Sequence, residues 1–383
     1  MVATIRRAWG AILLTILLSA CQAIPDRGDR GPAAPPPPAG PSADVLPTDT
    51  ARHRIALLVP TTGSNGAVGR SLANAATMAL LDTSAENLRI TTYDTATGAE
   101  TAAARAIADG NKLILGPLLR EDVAPVLAQA RPADVPLISF SNDSSIAARD
   151  VFVMGHIPEQ SVARTVGYAA GQGARRFAAL VPTGDYGARA ADALSRAATG
   201  AGGTVASVER YDRGNTSIVS AAERLAADGG FDAVLIAEGP RLSIMAAAPL
   251  TRGATRPRLL GTELWSGEAS IANAPAMRGA LFSAVSDDRY RQFVDSYRAR
   301  FGEQPYRIAT LGYDAVLLAL RVAQDWRPGR AFPAGELLDR GGFLGIDGPF
   351  RFGSDGVVER AMEVRQVGAR TISVVDPAPQ RFE

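Results

Sequence analysis

The chain has 383 residues, a formal net charge of +1, one cysteine and two histidines. The even charge balance argues against a nucleic-acid-binding surface, and a single cysteine excludes a disulfide within the chain. Because His53 and His156 lie far apart in the sequence, a metal site of the His/Cys type is not expected. The length is sufficient for two domains with hydrophobic cores.

The first predicted element is a short apolar segment, residues 12–18, which follows Arg6 and Arg7. A basic start, a short apolar segment and small residues are typical of an export signal, and the segment is too short to span a bilayer. The sequence Leu18-Ser19-Ala20-Cys21 resembles the lipobox of bacterial lipoproteins. This resemblance implies a signal peptide at 1–20 and a lipid on Cys21. The alternative is an ordinary signal peptide whose nearby cysteine carries no lipid.

Residues 21–51 are predicted to be a lipid-anchored, proline-rich tether. The proline content prevents a regular helix or strand, and the few apolar side chains cannot offset the entropy of ordering. Thirty such residues span at most roughly 90–100 Å. The segment is either a plain linker or a device that lets the domain work away from its membrane. Gln22 stands where lipoproteins retained at the inner membrane often carry Asp, so the resemblance favours the outer membrane.

From residue 54 onward, apolar runs of strand length alternate with segments of helical periodicity. The first array has predicted strands at 55–59, 88–93, 112–115 and 135–138, with helices at 71–81, 99–108 and 121–130. The second array has predicted helices at 159–171, 185–199, 217–227 and 242–250, with strands at 177–181, 205–211, 233–236 and 258–260. Fully apolar strands alternating with helices indicate parallel sheets covered on both faces. The predicted fold class is therefore α/β, with two doubly wound lobes, a hinge and a central cleft.

The remaining segments are too few for a third domain. They comprise predicted strands at 280–285, 349–352 and 361–367 and helices at 288–301 and 307–325. We expect these segments to return to the two lobes. The predicted division is 52–155 plus about 282–328 for the first lobe, and 156–281 plus about 340–376 for the second.

This order of elements is similar to that of type I periplasmic binding proteins, particularly the leucine-binding branch. The resemblance extends over 54–367 and depends on short strings in the expected order. The strings are 58–63 with Gly69, Leu115-Gly116-Pro117-Leu118, Pro136-Leu137-Ile138-Ser139, Asp185-Tyr186-Gly187, Gly312-Tyr313-Asp314-Ala315, and 348–352 with Asp355-Gly356. The resemblance implies two lobes that close on a ligand by hinge bending, without bond chemistry.

In the first lobe, Ser139, Ser141 and Asp143 match the family loop that holds a ligand carboxylate through hydroxyls and helix-start amides. They are equally good helix caps. Asp143 departs from the expected hydroxyl, and its charge would repel a ligand carboxylate. Arg120 stands where the family often has Ser; it either binds an anionic group or pairs with Asp143.

In the second lobe, Glu263 matches the family acid that holds a ligand's ammonium group, and Tyr186 matches an aromatic that contacts the ligand. They are alternatively a surface acid and a helix-capping tyrosine. The loop 61–69 is expected to line the cleft, and Val68 stands where the branch often places a large aromatic. The pocket thus matches the family in part.

The sequence contains no Walker loop, no dinucleotide fingerprint and no nucleophile elbow, so neither a cofactor nor an enzymatic activity is expected. Two non-enzymatic functions remain. One is regulation of a peptidoglycan synthase, because lipid-anchored chains with a long spacer and this domain resemble penicillin-binding-protein activators. The other is a solute receptor that binds an amino-acid-like ligand, branched-chain-like by family, for the membrane subunits of an ABC importer. Both place the protein in the periplasm.

Overall fold

The computed structural model describes residues 51–214, 216–253 and 256–382. The predicted signal peptide, Cys21 and nearly all of the tether lie outside the described residues. Among the described residues, no helix combines the length and apolarity needed to cross a membrane.

The first sheet is parallel, with strand order β2-β1-β3-β4-β5. Its elements in chain order are β1 His53–Val59, α1 Gly66–Asp82, β2 Leu88–Asp94, α2 Ala99–Ala108, β3 Leu113–Leu115, α3 Val123–Ala130, β4 Leu137–Ser139 and β5 Val151–Val153. The run 55–59 is at most 1% exposed, since helices cover both faces of the sheet. The sheet and its helices form the core of the first lobe.

The second sheet has the order β15-β14-β10-β9-β8-β6-β7. Its first elements are α4 Pro158–Gly171, β6 Arg176–Pro182, α5 Asp185–Gly200, β7 Thr204–Tyr211, α6 Ser217–Asp228, β8 Ala233–Ile236, α7 Pro240–Thr251, β9 Arg258–Leu260, α8 Ala269–Asn273 and β10 Leu281–Ala284. Separate apolar clusters cover its two faces. Two doubly wound lobes are present, and the predicted fold class is confirmed.

The remaining elements are shared between the lobes. They are α9 Tyr290–Phe301, α10 Thr310–Val322, β11 Phe343–Gly345, β12 Gly348–Phe352, β13 Val358–Arg360, β14 Glu363–Val367 and β15 Ile372–Asp376. Helices α9 and α10 pack against α1 in the first lobe. Strand β14 pairs antiparallel with β10 and β15, and so completes the second sheet.

The division predicted for the last segments needs correction. Strands β11, β12 and β13 form a separate antiparallel sheet, and it belongs to the first lobe rather than the second. Phe350, Phe352 and Val358 are buried in the first lobe's core, and Val357 bridges to Val153 of β5. Strand β10, which was assigned mostly to the first lobe, pairs with β9 and β14 of the second.

The two lobes begin with the same close contact. A Cβ on Gly69 of α1 would lie 1.7 Å from the carbonyl oxygen of Pro60, after β1. A Cβ on Gly187 of α5 would lie 1.8 Å from the carbonyl oxygen of Pro182, at the end of β6. Only glycine allows each helix to start this close to the preceding strand. These two contacts place the first turns of α1 and α5 directly beside the carboxyl ends of β1 and β6.

Candidate functional site

The predicted site residues follow the carboxyl ends of parallel strands. Arg120 follows β3, and the segment 139–143 begins at the end of β4. Tyr186 lies in the first turn of α5 after β6, while Glu263 follows β9. Strand ends of this kind form the ligand edge of doubly wound sheets. The structure therefore brings the first-lobe residues together at one edge and the second-lobe residues together at the other.

The first-lobe loop uses its polar groups on itself. The Ser139 hydroxyl donates to the carbonyl oxygen of Pro117 over 3.0 Å, and it accepts from the Ser141 amide over 3.2 Å. The Ser141 hydroxyl accepts from the Asp143 amide. The Asp143 carboxylate accepts from the Ser145 amide at 2.9 Å and hydroxyl at 2.7 Å, and so caps the short helical turn Ser144–Ile146. These bonds fix the loop in one shape.

Asp143 is a buried carboxylate, with only 4% of its side chain exposed. Burial opposes its ionisation, but the hydrogen bonds from Ser145 and the charges of Arg189 and Arg120 outweigh burial. Together they hold the pKa of Asp143 below its usual range. The loop therefore presents a negative charge where the family resemblance implies a site for a ligand carboxylate.

Arg120 joins the two lobes. Its Nη1 lies 2.9 Å from Oδ2 of Asp143 in the first lobe and 2.6 Å from Oδ2 of Asp185 in the second. About half of the Arg120 side chain is exposed, and Asp185 is mostly exposed. The Arg120 guanidinium is thus paired with carboxylates of the protein on both sides of the cleft.

Arg189 also joins the two lobes, from the second to the first, and it was not among the predicted site residues. It extends from α5 of the second lobe and donates over 2.6 Å to the carbonyl oxygen of Asn142 in the first. Its Nη1 lies 3.8 Å from Asp143, and its Nε and Nη2 donate to Glu159 at 2.6 and 2.7 Å. Arg189 follows Asp185 by one helical turn, so both lie on the same side of α5. That spacing was the signal available in the sequence.

The second-lobe residues form a separate hydrogen-bonded group. The Tyr186 hydroxyl lies 3.0 Å from Oγ1 of Thr262 and donates to Oε1 of Glu263 over 3.3 Å. Thr262 also caps the short turn Glu263–Trp265, because its hydroxyl accepts from the Leu264 amide. Thr262 and the preceding strand end therefore set the position of Glu263.

Glu263 carries a buried oxygen with no hydrogen-bond partner in the described structure. This atom is Oε2, whereas Oε1 accepts from Tyr186. Burial raises the pKa of Glu263 to about 7, despite the opposing Tyr186 hydrogen bond and the positive charge of Arg189. A carboxylate in this condition is suited to a cationic hydrogen-bond donor, which would satisfy Oε2 and favour the ionised form.

The guanidinium of Arg213 lies over the ring of Tyr186, and both residues belong to the second lobe. Its guanidinium carbon lies 5.3 Å from the centre of the Tyr186 ring, within cation–π range. Nε of Arg213 donates over 2.8 Å to Oε2 of Glu238, which also accepts from the Tyr211 hydroxyl over 2.7 Å. Neither Arg213 nor Glu238 was predicted, since both follow strands without a recognisable motif.

The arrangement has hydrogen-bonding and charge-pairing capacity on both sides of the cleft. Among the described residues, no cluster of three or more His, Cys, Asp or Glu side chains is placed to hold a metal ion. His156, which follows β5, lies 2.8 Å from Asp347 through its Nε2.

A sequence model of the periplasmic binding protein family matches residues 53–371. The chain belongs to this family. The match spans both lobes up to the start of β15. Membership in this family gives the chain a binding-protein fold and associates it with the periplasm.

Individual relatives are more distant. An uncharacterized protein from Rickettsia prowazekii is 31% identical over 134 residues, which is 34% of this chain and 36% of the relative. The match therefore spans about a third of that relative's length.

Solved structures share the fold over nearly the whole described domain. A leucine binding protein from Thermotoga maritima is 23% identical, with a TM-score of 0.64 over 84% of this chain and 97% of that one. The LpoA C-domain from Haemophilus influenzae, a regulator of PBP1A, is 19% identical, with a TM-score of 0.65 over 84% of this chain and 99% of that one. At these identities the likeness shows the fold alone. Binding proteins and a regulator share it.

Proposed function

We propose that this chain is a lipid-anchored periplasmic regulator that contacts a peptidoglycan synthase, in the manner of a penicillin-binding-protein activator. It carries no enzymatic activity and needs no cofactor. The lipobox-like sequence at Cys21 and the proline-rich segment 21–51 support an anchored domain with a long reach. Gln22 favours the outer membrane, from which the domain would extend toward its partner.

One observation carries this proposal: the protein's own charges occupy the cleft corner at Asp143. Arg120 pairs with Asp143 and Asp185, and Arg189 reaches Asn142 and approaches Asp143. A ligand carboxylate would have to displace these pairs and then face the buried charge of Asp143. Displacing paired charges in a partly buried site costs binding free energy, so this corner is unfavourable for an amino acid. Contact with a protein partner does not require that corner to open.

The fold is compatible with such a role. The LpoA C-domain regulates PBP1A and has the same two-lobed architecture, although its low identity to this chain carries no residue-level argument. Fold alone does not assign function. The altered cleft and the predicted anchor are therefore the distinguishing features.

The direct test is to measure glycan polymerisation and cross-linking by the bifunctional synthase of the same organism, with and without the purified chain. We expect a stimulated rate and a measurable complex. The control is the variant Arg131→Ser, which lacks an exposed ion pair within the first lobe. It should stimulate the synthase as well as the unmodified chain does. Absence of both stimulation and binding would refute the proposal.

The predicted anchor has its own test. We expect Cys21→Ala to leave the domain folded and to release it from membranes in cell fractionation. Persistent membrane association of this variant would show that the lipobox prediction is wrong.

A second candidate function is a solute receptor for an ABC importer. The observation that favours it is the free, buried Oε2 of Glu263 beside the Tyr186 hydroxyl, a suitable site for an ammonium group. Thermal melting against a panel of amino acids and peptidoglycan fragments separates the candidates. A ligand at about 100 times its dissociation constant adds roughly 2.7 kcal/mol of stability. A shift confined to one amino-acid class would favour the receptor, and its loss in Glu263→Gln but not in exposed Glu268→Gln would assign the site.

A further inference from the structure

A cavity beside the last strands of the second sheet is lined by charged side chains of both signs. It lies between α8, the start of α9 and the strands β14 and β15, and we call it the β15 cavity. Its volume is 420 Å³, which is within the usual range of small-ligand sites. None of the cleft residues described above lines it. The cavity is therefore a place where a ligand can bind independently of the cleft.

The buried part of its lining is a set of charges that pair with one another. Arg365, which is 4% exposed, donates to Oε1 of Glu363 over 2.7 Å and to Oδ2 of Asp287 over 2.5 Å. Its Nη2 donates over 2.7 Å to the carbonyl oxygen of Val285. The guanidinium of Arg365 is thus used within the protein, and it holds β14 against the segment that leads into α9. This part of the cavity forms a fixed wall.

The exposed part of the lining carries two carboxylates and two guanidiniums, those of Glu268, Asp288, Arg291 and Arg370. Within the part of the chain that the structure describes, none of these four side chains makes a hydrogen bond or an ion pair. Opposite charges therefore line one cavity without neutralising each other. The cavity offers two free positive and two free negative groups to an occupant.

Arg370 holds its position in a backbone conformation that favours glycine or asparagine. Its φ is +64°, in the left-handed region. It lies in the turn between β14 and β15, which is closed by a 2.8 Å bond from the Gly368 amide to the carbonyl oxygen of Thr371. The Arg370 amide donates over 3.1 Å to the carbonyl oxygen of Ala272 in α8. Backbone outliers that the surroundings fix in this way are concentrated at functional sites.

Strand β15 provides backbone groups next to these charges. It is the last strand of the second sheet and pairs with β14 alone, so its other edge has no strand partner in the described chain. Ile372 and Val374 of β15 line the cavity, and Val374 is 50% exposed. A free strand edge binds extended peptides through main-chain hydrogen bonds. Alternate side chains of an added strand lie on the same face as Ile372 and Val374, toward the cavity.

We propose that the β15 cavity binds a short peptide that carries both ammonium and carboxylate groups, with its backbone added to β15. The cationic groups of the peptide pair with Glu268 and Asp288, and its carboxylates pair with Arg291 and Arg370. A ligand of one sign would meet two like charges, whereas a peptide with both signs matches all four groups. A single amino acid lacks the extended backbone that the strand edge binds. The site is separate from the cleft and does not depend on the proposed contact with a synthase.

Calorimetry on the full chain tests the ligand class. The probe is the tetrapeptide Ala-Glu-Lys-Ala with free termini, which carries two positive and two negative groups. The control peptide is N-acetyl-Ala-Gln-Gln-Ala-amide, which has the same length and no charge. We expect the charged peptide to bind at least tenfold more tightly than the neutral one. Absence of binding by the charged peptide, or equal affinity for both, would overturn the proposal.

Variants at the arginines test the site. Arg370→Asn removes the guanidinium and suits the left-handed backbone, so the turn should keep its shape. Arg370→Asn and Arg291→Ser should each weaken binding of the charged peptide at least tenfold. The control is Arg298→Ser, because Arg298 is exposed on the same helix two turns after Arg291 and does not line the cavity. Affinity that is equal in all three variants would refute the assignment.

Hydrogen exchange on the unmodified chain locates the peptide without any substitution. We expect the charged peptide to slow the exchange of amides in β15, because strand addition protects them, and to leave the cleft segments 139–143 and 261–263 unchanged. Protection of those cleft segments with none in β15 would place the peptide in the cleft and contradict the proposal.

Discussion

Arg120 of the first lobe reaches Asp185 of the second across the cleft, with Nη1 and Oδ2 2.6 Å apart. The two residues are 65 positions apart in the sequence and belong to different sheets. Their pairing means that the lobes of this protein meet through side chains of the protein itself.

Removal of this contact should open the cleft without unfolding the domain. We expect Arg120→Ser to increase the mean distance between the lobes, measured by energy transfer between labels on α3 and α5. The melting temperature should fall only modestly, because the exposed pair with Asp185 contributes ~0.2–1 kcal/mol and the buried Asp143 keeps its hydrogen bonds from Ser145. Arg131→Ser, which removes the exposed pair with Asp150 inside the first lobe, is the control and should leave the distance unchanged. Equal distances in both variants would mean that Arg120 does not hold the lobes together.

The raised pKa of Glu263 predicts how the affinity for any amino acid should depend on pH. Burial raises its pKa to about 7, and an ammonium group binds the ionised form. Affinity measured by calorimetry should therefore rise between pH 6 and pH 8 and level off above that range. The dependence should disappear in Glu263→Gln and persist in Glu268→Gln. A flat profile in the unmodified chain would remove Glu263 from the site.

Asp347 should be among the most costly carboxylates to replace. Asp347→Asn removes the negative charge that His156 and Arg307 contact, and it leaves buried cationic groups unpaired. Loss of one member of a buried ion pair typically costs roughly 3–5 kcal/mol. We expect a decrease of this size in the free energy of unfolding by urea at pH 7. Glu359→Gln, at an exposed ion pair on β13, should cost under about 1 kcal/mol.

The Asp347 effect should also depend on pH with a defined sign. The charges of Arg307, His156 and Arg360 hold its pKa far below the ordinary range, even though burial acts in the opposite direction. A lowered pKa in the folded state contributes stability above the unfolded value of about 3.9 and loses it as the pH falls further. The stability difference between the unmodified chain and Asp347→Asn should therefore shrink below about pH 4. A difference that stays constant down to pH 2 would contradict this account.

The close contact at Gly69 gives a prediction about stability. Gly69→Ala places a Cβ 1.7 Å from a backbone oxygen, so α1 has to shift away from β1. Overpacking of this kind typically costs roughly 1–3 kcal/mol, and a clash with backbone lies at the upper end. Gly167→Ala, in the middle of α4 with no atom near the added Cβ, should instead stabilise by up to ~1 kcal/mol. Thermal melting of both variants checks the contrast.

Much of the fold was predictable because the signals are local. Apolar runs such as 55–59 and 177–181 correspond to β1 and β6, since strands buried on both faces need continuous apolar sequence. The three-residue strand β5 was missed, although β3, β4 and β9 have the same length and were predicted. The lobe of β11–β13 was misassigned because periodicity does not report which core receives Phe350 and Phe352.

The site was predictable to the extent that strand ends locate it. Four predicted site residues lie at or just after strand ends: Ser139, Ser141 and Asp143 at β4, and Glu263 after β9. Parallel topology places these strand ends at the ligand edge. The pairing of Arg120 with Asp143 was one of two alternatives that the sequence left open, whereas the contacts of Arg189 were not predicted. Arg189 contacts residues of both lobes, and nothing local in the sequence identifies a partner 47 positions away.

The interleaved connectivity has a consequence for export. Strands β11–β13 complete the first lobe, and β14–β15 complete the second, so both are finished by residues 343–376. A polypeptide that crosses a membrane from its N-terminus and has emerged only as far as residue 340 lacks part of each lobe. Neither lobe has a complete core at that stage, and its unpaired strand edges and apolar surface are exposed to aggregation. We therefore expect folding after translocation to be one cooperative event, with periplasmic chaperones shielding the chain until its last strands arrive.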